Sequence, residues 1–205
     1  MSLDFLTPSP RAVARSPMER DAEAAGARFE LRDGWNVAVS YASEDAAAPV
    51  VFADSSHLRK LELQGQHDLP LGVAERRDGA WWCALTPQRA FVIGGASPNI
   101  DGAIDVTTTF AALTIVGPAA RELFARFCAL DLRDQSTPPR AFRPGSVART
   151  PGFVLRENGD RFLMLFGAAL GHYVWTTVAD AAAGLGGGPI GAGALAAVEQ
   201  ELAHA

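Results

Sequence analysis

The apolar positions of this chain fall into short runs broken by glycine, proline and Asp-Gly pairs, the spacing of strands joined by tight turns. Residues 29–41, "FELRDGWNVAVSY", alternate on both sides of Asp33-Gly34, which predicts a β-hairpin. Val50-Val51-Phe52 reads as a short buried strand or a helix exit. Over residues 58–63, Leu61 and Leu63 share a face, which predicts a half-buried strand. Asp78-Gly79 opens a further run, with strands over 81–85 and 90–93 joined at Thr86-Pro87. Residues 106–116, "VTTTFAALTIV", are rich in β-branched side chains and read as strand. Residues 147–155 and 161–166 flank Glu157-Asn158-Gly159-Asp160 as a second clear hairpin.

Helical spacing is confined to four places. Residues 17–25 form a short helix stopped by Gly26. Gly117-Pro118 opens a helix over 119–130, with Leu123, Phe124, Phe127 and Leu130 on one stripe. A helix over 168–183 turns Leu170, Tyr173, Val174, Thr177 and Val178 inward, and a last one covers 194–203. Residues 133–146, with three prolines, read as a long loop, and the glycine-rich stretch 184–193 as a flexible link. Residues 1–17 read as an N-terminal arm, and 18–205 as a single compact domain with sub-modules over 18–132 and 147–205. The order of elements predicts an α+β fold with mostly antiparallel sheets and helices packed on one face.

Composition adds bounds. The 205 residues are 48% hydrophobic and 20% charged, with a net charge of −5, which argues against a nucleic-acid binder. The two cysteines, Cys83 and Cys128, sit in apolar runs and read as unreactive thiols. No signal-like or membrane-spanning stretch is evident, so a cytoplasmic protein without membrane contact is expected.

Candidate chemistry is thin. Ser56 and His57 are neighbours, and neighbours on a strand point to opposite faces, so they do not make a nucleophile–base pair. His57 and His67 lack acidic or thiol companions at metal-ligand spacing, so no metal is expected. Lys60 is the only lysine, and the glycine-rich stretch follows a helix, which excludes a phosphate-binding loop. Glu157, in its hairpin turn, reads either as a solvated acid or as a contact for a ligand's polar edge. No catalytic residue is assigned.

Five blocks in order nevertheless resemble the glycine cleavage T-protein (aminomethyltransferase), a folate-binding fold. They are "RSPMERDAEAAGARFELRDGWNVAVSY", "FADSSHLRKLELQG", "LTIVGPAARELFARFCALDL", "SVARTPGFVLRENGDRFLMLF" and "ALGHYVWTTVADA". The second matches the family's Asp-x-Ser-His-x-x-Lys-x-x-x-x-Gly pattern at Asp54, Ser56, His57, Lys60 and Gly65, a structural motif. The segment that supplies the T-protein's catalytic aspartate has no match, and "DGAWWCALTPQRAFVIGG" stands there instead. The compact length resembles the gamma subunit of heterotetrameric sarcosine oxidase. That resemblance implies a non-catalytic accessory subunit of a complex that oxidatively demethylates sarcosine and passes the one-carbon unit to tetrahydrofolate. It implies alpha, beta and delta subunits as partners, with flavins and NAD on them. It also implies folate contacts at Glu157, Arg149, Trp35 and Tyr41, with tetrahydrofolate at most loosely held. The alternative is a stand-alone folate-binding aminomethyltransferase-like protein. An iron–sulfur assembly factor of this fold would carry a Lys-Gly-Cys-Tyr-x-Gly motif, which is absent. Whether the isolated chain is a homo-oligomer stays open.

Overall fold

The structure is a computed structural model and describes residues 12–95 and 100–204, with side chains to residue 198. In chain order the elements are β1 Ala14–Arg15, α1 Glu19–Ala24, β2 Ala27–Arg32, β3 Trp35–Tyr41, β4 Val51–Asp54, β5 Lys60–Gln64, β6 Ala74–Arg77, β7 Ala80–Thr86, β8 Arg89–Ile93 and β9 Ile104–Asp105. There follow β10 Phe110–Val116, α2 Ala120–Ala125, β11 Phe142–Val147, β12 Thr150–Asn158, β13 Arg161–Gly167, α3 Gly171–Ala183, β14 Gly188–Pro189 and α4 Ala192–His204. The strands form three sheets, ordered β1-β3-β2, β11-β12-β13-β10-β4-β14 and β6-β7-β8-β5-β9. Every pairing is antiparallel except β1 with β3 and β14 with β4. Strands carry this sheet-rich α+β fold; the helices are few.

The six-stranded sheet is buried on both faces, which is why β10 is apolar at every position but Thr114 rather than alternating. On one face Leu113, Ile115, Phe162, Met164 and Phe166 meet Met18 and Ala22 of the α1 region, Leu123 and Phe124 of α2, and Val174, Trp175 and Val178 of α3. On the other, Ala112, Leu155, Leu163 and Leu165 meet Trp81, Cys83, Phe91 and Ile93 of the five-stranded sheet. The last helix departs from the expected one-sided packing. Its Leu195 joins Val51, Ala53, Val116 and Ile190, and Val51 and Ala53 point opposite to Phe52 on the same strand.

The hairpin turn expected at Asp33-Gly34 forms, and Asp78-Gly79, expected to open a run, forms a second one between β6 and β7. Asp33 and Gly34 both take positive φ (48° and 81°), as do Asp78 and Gly79 (49° and 77°), the two-residue turn whose twist suits a hairpin. Four expectations are corrected. The helix predicted over 119–130 ends at Ala125, because Cys128 pairs with Val147 and the Ala129 N–H donates to the Ser146 carbonyl. The expected loop over 133–146 contains most of β11. Pro144 is tolerated there because β11 is the edge of its sheet, where a missing N–H removes little. Tyr173 is 46% exposed, and Trp175 takes the inward place expected of it. The glycine-rich stretch is no loose link: β14 pairs with β4, and a Cβ at Gly191 would lie 2.1 Å from the Val39 backbone. Part of the expected arm is ordered too, since β1 pairs with β3; its first eleven residues lie outside the described ones.

Candidate functional site

The "DSSHLRK" segment follows β4, and Asp54, Ser55, Ser56, Arg59 and Lys60 along it each have a polar partner, whereas His57 has none among the described residues. The Asp54 carboxylate accepts the Ser56 N–H at 2.9 Å, closing a local turn. Ser56, wholly buried, accepts the Ala112 N–H with its hydroxyl at 3.1 Å, and Ser55 bonds Thr114 at 2.7 Å. Ser56 therefore faces β10, not a substrate.

Lys60 is wholly buried. Its ammonium donates to the carbonyls of Ser56 (2.9 Å), Leu58 (2.7 Å) and Thr107 (3.4 Å), one acceptor for each of its three protons. Burial pushes its pKa down to about 8 against the opposing pull of Asp54 and Asp105. The side chain ties the His57 loop to the Thr107 loop, across 47 residues of sequence.

Both loops wall a cleft of about 630 Å³ whose lining includes Trp35, His57, Arg59, Gly94, Asp105 and Thr108. Burial lowers the His57 pKa, with Lys60 and Arg32 adding to the effect and Asp54 and Asp33 opposing it. Burial raises the Asp105 pKa, but hydrogen bonds from Thr107 and the charge of Arg59 outweigh it, leaving the carboxyl below its ordinary range. Arg59 pairs with Asp105 at 3.4 Å across the mouth.

The four residues tied to folate by resemblance do not converge. Trp35 lines this cleft. Tyr41, six residues further along β3, is buried beside Trp175 with ring centroids 6.5 Å apart. Its hydroxyl has no hydrogen-bond partner among the described residues, and burial raises its pKa. Arg149 and Glu157 stand at opposite ends of β12, roughly 26 Å apart at about 3.3 Å per residue. Arg149 sits in a two-residue turn with Ala148, both at positive φ (60° and 46°). Glu157 accepts the Trp81 indole N–H at 3.0 Å with one oxygen and pairs with Arg161 through the other. With its side chain 12% exposed and both oxygens engaged, Glu157 does not fit the role of an open folate contact.

Trp81, whose size suits a core or interface anchor, also proves to be the donor that holds Glu157. Its other neighbour is Arg76, whose guanidinium lies 4.9 Å over the indole ring. Only the Asp78-Gly79 turn hinted at this, since it sets β6 beside β7 and Arg76 opposite Trp81. Among the described residues, no group of three or more His, Cys, Asp or Glu side chains could hold a metal. None of the helices there is long and apolar enough to cross a membrane.

Two largely antiparallel sheets, with helices against the larger one, meet at an Asp-x-Ser-His turn, and solved structures of this architecture give the fold its aminomethyltransferase type. The chain is similar to one from the heterotetrameric sarcosine oxidase of Corynebacterium sp. U-96 in complex with pyrrole 2-carboxylate: 17% identity, 82% of this chain and 94% of that one covered, TM-score 0.64. It is also similar to glycine cleavage system aminomethyltransferase T from Bartonella henselae: 16% identity, 89% of this chain and 61% of that one, TM-score 0.63. The chain thus spans less than two thirds of that aminomethyltransferase and nearly the whole of the sarcosine oxidase chain. At these identities the likeness establishes the fold, the one implied by the five sequence blocks. No protein-family model matches the sequence, and no curated protein does.

Proposed function

We propose that this chain is a gamma-type accessory subunit of a heterotetrameric sarcosine oxidase-like complex, itself non-catalytic. In that complex the oxidative demethylation of sarcosine belongs to alpha, beta and delta partners carrying the flavins and NAD. The observation that carries this reading is the match to 94% of a chain of the Corynebacterium enzyme, against 61% of the aminomethyltransferase. The state of Glu157, held by Trp81 and Arg161, supports a chain whose folate contact has become structural. A single domain over residues 18–205, placed in the cytoplasm, completes the proposal. Its test is co-expression with the larger subunits of a sarcosine oxidase from the same organism, followed by affinity capture through the larger subunit. Stoichiometric recovery of this chain supports the reading; its complete absence from the captured complex removes it.

The second reading, a stand-alone folate-binding protein using Trp35, Tyr41, Arg149 and Glu157, is favoured only by the open cleft at Trp35. Calorimetric titration with tetrahydrofolate separates the two. The subunit reading expects no saturable heat at high micromolar ligand. Saturable binding that Glu157→Ala abolishes would replace it.

A further inference from the structure

Seventeen arginines and one lysine face 23 acidic residues in this chain, and most of the arginines have a carboxylate partner. Three of the exceptions among the described residues gather at one place. Arg76 stacks on Trp81 and has no ion-pair partner among the described residues. Arg143 is held by backbone carbonyls only, those of Gly72, Ser136 and Phe142. Arg140 is exposed and has neither an ion pair nor a side-chain hydrogen bond there. The three are brought together by the backbone: the Ala74 N–H donates to the Arg140 carbonyl at 2.6 Å, and Val73 pairs with Ala141.

Most of the surrounding carboxylates are already committed; Asp78, in the turn that follows β6, is the exception among them. Glu157 is taken by Arg161, Glu75 by Arg77, Asp131 by Arg133, and Asp134 by Arg121 and Arg156. Glu75 and Arg77 also point to the opposite face of β6 from Arg76. An acidic chain therefore presents a local surplus of uncompensated positive charge.

The same rim exposes apolar surface. Leu71 is 57% and Val73 43% exposed, on the extended stretch that bridges the five-stranded sheet at Ala84 and the six-stranded sheet at Ala141. Arg140 holds a left-handed backbone (φ 66°) at the corner, a conformation that costs a non-glycine residue about 1–2 kcal/mol. The rim surrounds Trp81 and Glu157, the position at which the folate contact is closed.

We propose that this rim, Leu71, Val73, Arg76 and Arg140, is the surface through which the chain docks a partner subunit, and that the segment it takes combines carboxylates with aliphatic side chains. The proposal rests on the subunit reading. Unpaired guanidinium groups beside exposed aliphatic side chains select that chemistry: carboxylates supply the missing counter-charges, and Leu71 and Val73 need an apolar cover.

The experiment measures the affinity of the purified chain for the larger sarcosine oxidase subunits of the same organism, at low and high salt. The Arg76→Glu/Arg140→Glu variant is expected to weaken binding by about tenfold or more at 0.1 M NaCl, with a smaller effect at 0.5 M as screening removes the charge contribution. Val73→Asp, at an exposed position where folding is undisturbed, is expected to weaken it at both salts. Arg20→Glu, a reversal at another arginine without an ion pair, should leave it within about twofold. Binding by the wild-type chain that neither rim variant alters would overturn the docking surface and leave the subunit reading standing. No binding by the wild-type chain would overturn both.

Discussion

Replacing the single lysine with methionine gives the most informative perturbation of the central joint. Lys60 is wholly buried as an ammonium ion, with a pKa of about 8 in place of about 10.4 in an unfolded chain. The folded-state value is the lower one, so between about pH 8 and 10.4 the unfolded chain binds a proton that the folded chain has released. Stability carried by this group therefore rises with pH across that window. At 1.36 kcal/mol per pKa unit, the gain is about 3 kcal/mol from neutral pH to pH 10.5. Lys60→Met removes that dependence and strands the carbonyls of Ser56, Leu58 and Thr107, each an acceptor that costs about 1–3 kcal/mol when buried and unpaired. At pH 7 the two effects oppose one another, so the slope with pH, not the stability at one pH, is the quantity to measure. Urea titrations of both proteins at intervals from pH 7 to 10.5 give it directly. The wild-type chain should gain about 3 kcal/mol relative to Lys60→Met over that range. Parallel stability curves, or a wild type that loses ground as pH rises, would refute the buried-ammonium account.

Two further substitutions test other parts of the account. Arg149→Gly relieves a left-handed non-glycine turn and should stabilise the chain by about 0.5–1 kcal/mol, seen as a higher urea midpoint; a loss would mean that the guanidinium makes a contact worth more than the strain. Trp81→Phe keeps an aromatic ring but removes the donor to Glu157, and should cost about 1–3 kcal/mol; an unchanged urea midpoint would mean that the bond does not hold the two sheets together.

The parts of the fold legible in the sequence were those dictated by local chemistry. The turns at Asp33-Gly34 and Asp78-Gly79 need positive φ, which the residues themselves announce. β10 declared itself through its β-branched side chains, although the strand starts only at Phe110, after the turn through Thr107–Thr109. What stayed hidden depended on distant partners. β11 was masked by Pro144, which is harmless only because nothing in the sheet pairs with its outer side. The burial of Lys60 depends partly on a carbonyl 47 residues away, and the pairing of β14 on a strand more than 130 residues earlier. The site divides in the same way. The Asp54-Ser56-Lys60 joint could be recognised by its resemblance to the family's pattern, whereas the closure of Glu157 by Trp81 depends on a contact across 76 residues that no local pattern encodes.

The central claim is that this chain functions as a subunit. The most direct measurement is native mass spectrometry of the chain co-expressed with the larger subunits of a sarcosine oxidase from its own organism. The account predicts one dominant assembly whose mass includes this chain once per larger-subunit set. A larger-subunit assembly formed without it, with this chain recovered separately, would contradict the account.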